Sequence, residues 1–138
     1  MLNQYEEIKK IFQLNCRVYE MEKKEMQQMR MQYPGIEGYA SSAEKILDDM
    51  STFDAAKRYW YLKQAVDWVE SVFRIILNEY GDFVYKMFVS RFIKLRTQED
   101  VAKEMGMTRR QLQYEEDKVI RSLTEKINEG QKLKHISQ

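Results

Sequence analysis

Four side chains in the last third of the sequence, Arg109, Arg110, Gln113 and Tyr114, are of types that read the edges of base pairs. Arginine offers two parallel N–H donors to the O6 and N7 acceptors of guanine. Glutamine pairs in the same two-pronged way with adenine, and a tyrosine ring can lie against the methyl group of thymine. In the first turns of a helix, on the side away from Leu112, the four form a base-reading set. Gln98, Thr108, Lys118 and Arg121 suit phosphates instead, which fix a protein on the duplex without carrying sequence information. A solvated helix face also shows arginines at this spacing. The adjacent acids Glu115, Glu116 and Asp117 add weight to that alternative, because three carboxylates repel DNA unless they turn outward.

Other chemistries find little to work with. His135 is the only histidine, has no predicted nucleophile or metal partner, and is assigned no role. Cys16 is the only cysteine, so no internal disulfide forms and no Cys/His cluster holds zinc; neither metal nor cofactor is expected. Asp48, Asp49, Glu115 and Glu116 could suggest acid–base catalysis, but neighbours on a helix point in different directions and no glycine-rich phosphate loop accompanies them. No enzymatic activity is expected. Met21, Met26, Met29 and Met31 read as packing before they read as an adaptable partner surface. Tyr59, Trp60 and Tyr61, beside Lys57 and Arg58, read as core and boundary before they read as a stacking platform. The opening MLNQYEEIKK lacks the apolar run of a signal peptide, and no stretch of about 18 apolar residues could span a bilayer. A soluble chain in a reducing cytoplasm is the expectation.

The elements that must position these residues are helical. One proline, five glycines and a wealth of Met, Lys, Glu, Gln and Leu predict an all-α fold. From Leu2 to Gln32 Tyr5, Phe12, Tyr19, Met26 and Tyr33 recur every seventh residue, with Ile8 and Met29 alongside, which predicts one long helix whose seam is interrupted by Asn15 and Glu22. Tyr33-Pro34-Gly35 breaks it. Residues 38–54 are ambiguous: Ser41 or Ser42 could cap a short helix through Met50, and Ser51 or Thr52 the next. Tyr59, Leu62, Val66, Val69, Phe73, Ile76 and Tyr80 then predict a helix over 54–80, its stripe widened by Trp60, Trp68 and Ile75. Gly81 ends it. Asp82 is expected to cap a helix through Leu95 with Lys86, Arg91, Lys94 and Arg96 on its wet side. Thr97 caps a short helix to Met105, Gly106 makes a turn, and Thr108 caps a last helix to about Asn128, after which 130–138 read as a basic, disordered tail.

The net charge of +1 excludes a histone-like coat of positive charge, so any DNA contact must rest on local placement. The stretch TQEDVAKEMGMTRRQLQYEEDKVIRSL, Thr97 to Leu123, supplies such a place. Ala102 is small where two helices must approach, Val101, Met105, Met107 and Leu112 give the apolar contacts about the turn, and Gly106 suits a positive φ. The N-terminal N–H groups of the second helix can face a phosphate. This stretch resembles, without a gap, region four of primary sigma factors, through Val101, Lys103, Thr108, Arg109, Glu116, Lys118, Arg121 and Leu123. The layout upstream resembles small phage late-transcription regulators of the ArpU and RinA type. The resemblance implies a one-module helix-turn-helix regulator that lacks the other sigma regions. Glu115 stands where that family has an aliphatic residue. Arg110 and Tyr114 stand where it has the Glu and Gln that read bases, which implies a different DNA site.

The expected organisation is a long helical hairpin over 1–80, suited to oligomerisation, a DNA-binding domain over 81–129 and the tail 130–138. The expected function is sequence-specific binding of double-stranded DNA with a transcriptional outcome, tilted by the phage-like layout towards late-gene activation in a bacterial host cytoplasm. One such module makes few phosphate contacts, so RNA polymerase or a second copy is expected to help, the latter as a homodimer through the Tyr59–Tyr80 seam. The alternatives are a helical interaction or assembly protein and a DNA-recognition subunit of a packaging machine.

Overall fold

A computed structural model describes the backbone of residues 4–41 and 50–136 and the side chains of residues 4–38 and 54–126. The described residues are helical without strands, as an all-α fold requires. In order they form α1 (Gln4–Gln32), α2 (Ile36–Ser41), α3 (Met50–Phe88), a π-helical turn (Val89–Ile93), α4 (Gln98–Glu104) and α5 (Arg109–Ile136).

Two compact units are present: Met1–Arg17 with Val72–Gln138, and Val18–Ser71. They divide the chain within α1 and α3, not at the expected boundary between residues 80 and 81. Phe12 gives the physical reason. Its ring, far from residue 80 in sequence, packs against Phe73, Phe88 and Phe92 at 6.0, 6.1 and 5.0 Å, so the first turns of α1 share a core with the C-terminal helices. Met87, Ile76 and Cys16 are buried in the same unit, and burial pushes the Cys16 thiol up to about 12, which leaves it protonated and inert.

In the unit Val18–Ser71, α1 ends where Pro34 and Gly35 (φ 84°) turn the chain, and Tyr33 still donates its N–H to the Met29 carbonyl at 2.8 Å. Ile36, fully buried, opens α2 and packs with Met26, Ala56, Tyr59, Leu62 and Val66, flanked by Tyr19, Met29 and Tyr33. Arg30 donates to the Tyr59 hydroxyl at 3.1 Å, and Arg58 pairs with Glu25 at 3.0 Å. Glu22 is buried in this unit with Oε1 lacking any hydrogen-bond partner.

Several expectations are corrected. Ser51 and Thr52 lie inside α3, which begins at Met50, so neither stands at its start; the side chains of Ser41 and Ser42 and the pair Asp48 and Asp49 lie outside the described residues. Gly81 does leave the helical conformation (φ 89°, ψ 177°), but Leu95 is not helical: its φ of 59° closes the π-helical turn, in which Lys94 donates to the Val89 carbonyl at 2.9 Å. Gly130 opens no irregular tail, since α5 continues through Ile136. Lys, Leu and Gln are strong helix formers, and one interior glycine costs only about 1 kcal/mol. Most of the Tyr59–Tyr80 seam is not left for a second copy: Tyr59, Leu62, Val66, Val69, Phe73 and Ile76 are buried within the chain, and Tyr80 is half-buried.

Candidate nucleic-acid interface

The Met1–Arg17/Val72–Gln138 unit builds the site from two capped helices. Thr97 accepts a hydrogen bond from the Asp100 N–H at 3.1 Å and starts α4. Val101 and Ala102 are buried where α4 meets α5. Gly106, at φ 69°, lets the chain leave α4, and the Met107 N–H donates to the Ala102 carbonyl at 2.8 Å, closing the turn. Thr108 Oγ1 accepts from the Gln111 N–H at 3.1 Å, while Gln111 Oε1 accepts from the Thr108 N–H at 2.9 Å. This reciprocal box fixes the first turn of α5, and Leu112, fully buried, seats it on α4.

Burial then sorts the faces of α5. Leu112, Glu116, Val119, Ile120 and Leu123 point inward. Arg109, Arg110, Gln113 and Tyr114 are exposed in the first two turns, so the four base-reading candidates share the outer surface. They differ in freedom. Arg109 is tied back to α4, its Nε donating to Gln98 Oε1 at 3.3 Å and a guanidinium nitrogen 3.8 Å from Glu99. Arg110 has no ion pair or hydrogen bond among the described residues and is the unencumbered cation of the base-reading set.

The phosphate candidates divide likewise. Lys118 is exposed without a partner among the described residues, and Arg121, also exposed, lies over the Tyr5 ring at 4.4 Å. The Thr108 side chain is committed to its cap. Gln98 works inside the scaffold, donating to Glu116 Oε2 at 3.0 Å while accepting from Arg109.

The three acids turn out to be unlike one another. Glu116 is buried and receives Arg91 Nε on Oε1 at 2.5 Å; Arg91, expected on the wet side, is only 18% exposed and also donates to the Arg96 carbonyl at 2.7 Å. The π-helical turn and the left-handed Leu95 present Arg91 inward to α5, an arrangement that no simple helical period predicts. Asp117 accepts from the Tyr5 hydroxyl at 2.8 Å and pairs with Lys9 at 3.3 Å. Burial and that bond to Asp117 push Tyr5 up to about 12. Glu115 alone stays half-buried without such a partner, at the edge of a groove of about 660 Å³ that Phe83, Met105, Met107, Arg110 and Tyr114 also line. Sequence reasoning missed Arg91, Tyr5, Lys9 and Gln111; only the last left a local signal, the Thr-x-x-Gln spacing after the turn.

Among the described residues no group of His, Cys, Asp or Glu could hold a metal ion, and no helix is long and apolar enough to cross a membrane. Comparison with family models, curated proteins and solved structures finds no match to this chain.

Proposed function

We propose that this protein binds duplex DNA sequence-specifically through the outer face of α5 and regulates transcription. The observation that carries this reading is the sorting of charge around α5. Two of the three acids that argued against DNA are engaged by partners in their own scaffold: Glu116 is paired with Arg91 and hydrogen-bonded by Gln98, and Asp117 is paired with Lys9 and hydrogen-bonded by Tyr5. The first turns then present Arg109, Arg110, Gln113 and Tyr114 outward, with Lys118 and Arg121 further along the helix. A capped helix that ends in a glycine turn and leads into a capped second helix with such a face suits insertion into a major groove. The rest of the reading extends this one: late-gene activation in a bacterial cytoplasm, with RNA polymerase or a second copy adding the contacts that a single module lacks.

Titration of labelled duplex from the protein's own genomic neighbourhood, at two salt concentrations, tests the proposal. Binding that falls steeply with salt is expected, because each phosphate neutralised releases counterions. Absence of binding even at low salt would leave the assembly-protein reading as the better one.

A further inference from the structure

The groove beside the start of α5 is apolar on a surface proposed to face DNA. Phe83, Met105, Met107 and Tyr114 supply its greasy lining, and Phe83 and Tyr114 are 53% and 66% exposed. Arg110 stands in the same lining with no protein partner among the described residues, and Glu115 contributes a carboxylate. Phosphate is a poor occupant for the apolar part of this lining, away from Arg110, because Glu115 repels it there and Phe83, Met105 and Met107 offer it no donor. A base edge fits better, and in the major groove the one apolar group that base edges present is the methyl of thymine.

Spacing says where that thymine lies. Arg110 and Tyr114 are one turn apart on the same face of α5, about 6 Å along the axis. Successive bases rise about 3.4 Å, so side chains this far apart on an obliquely seated helix meet adjacent base pairs. The geometry points to a thymine directly beside the guanine that Arg110 reads, with the C5-methyl edge of that thymine seated in the groove against Tyr114, Met107 and Phe83. Arg110 supplies the polar half of the recognition and the groove the apolar half. This inference rests on the DNA-binding reading and adds the identity of a base step to it.

The test begins with a random-core duplex library passed over the intact protein at low salt. The enriched duplex is then remade with deoxyuridine at each thymine in turn, which removes one methyl group and leaves every hydrogen bond in place. One uracil, beside a guanine, is expected to lower affinity about fourfold, the worth of one buried methyl. That loss is expected to vanish in Tyr114→Ala and to shrink in Phe83→Ala. Both residues are more than half exposed, so the fold tolerates these changes. An enriched duplex in which no uracil weakens binding, or whose uracil-sensitive thymine has no guanine neighbour, overturns the inference and leaves DNA binding standing. A uracil effect undiminished in Tyr114→Ala does the same. If no duplex is retained at low salt, the DNA-binding reading itself fails and takes this inference with it.

Discussion

Replacing Arg91 with methionine is expected to destabilise the protein far more than replacing any exposed arginine of α5. The Glu116 carboxylate, 5% exposed, would keep only the Gln98 amide as a partner, and stripping one member from a buried ion pair costs about 3–5 kcal/mol. Urea unfolding measures the loss. The double replacement Arg91→Met with Glu116→Leu is expected to recover most of it, and a single variant within about 1 kcal/mol of wild type would show that the pair is dispensable. Glu22 behaves in the opposite sense. Burial raises its carboxyl above the ordinary 4.5, against the pull of Arg58 and with a smaller push from Glu25. A raised value in the folded state means that protonation favours folding. The stability linked to this group is therefore fully present below about 4.5, the unfolded value, and is lost as pH rises through the higher folded value. Glu22→Gln is expected to raise the thermal midpoint at pH 7, with the gain narrowing as the pH approaches 4. A gain that is constant over this range would remove desolvation of the carboxylate as its cause.

At the scale of elements, glycines 38 and 106 make a matched pair. Neither position has an atom within 4 Å of an added Cβ, so packing drops out and the backbone decides. Gly106 sits at φ 69°, where an L side chain costs roughly 1–2 kcal/mol, while Gly38 lies in α2 without a positive φ. Gly106→Ala is expected to destabilise by about 1 kcal/mol and Gly38→Ala to stabilise by about 0.5 kcal/mol, because alanine narrows the unfolded ensemble. Circular-dichroism melts of the two variants check the sign of each; equal shifts would mean that the turn does not depend on the left-handed conformation. The helix boundaries at these points could be read locally. Thr97, Gly106, Thr108, Gly81 and Tyr33-Pro34-Gly35 act through their own backbone and nearest neighbours, so their positions survive whatever packs against them. Leu95 could not be read, since nothing in a leucine marks a left-handed turn; the burial of Phe92 and Arg91 imposes it.

For the whole molecule, a net charge of +1 implies that affinity comes from a few well-placed cations. Lys118→Ala is expected to weaken all duplexes alike and to reduce the salt slope by about one unit, while Arg110→Ala is expected to lose about 1–3 kcal/mol at one base position. Competition titrations against single-base variants separate the two, and equal losses across all sequences from both would remove Arg110 as a reader. Val69 is 2% exposed within its own chain, so Val69→Glu is expected to unfold the protein, as a loss of the cooperative circular-dichroism melt would show. By itself the sequence determined the helical class, the heptad lines of α1 and α3, the breaks at Pro34 and Gly81, and the two capped helices that set Arg110 and Tyr114 on one face. These follow from dihedral preference and from periods of three and four residues, which act over a turn or two of chain. Only the tertiary structure decided that Phe12 joins the C-terminal core, that the Tyr59–Ile76 seam is filled within the chain, and that Glu116 and Asp117 spend their charge on Arg91, Lys9 and Tyr5. Those partners lie from 25 to 112 residues away, and pairing at such separation depends on which surfaces meet in space, which no local period encodes.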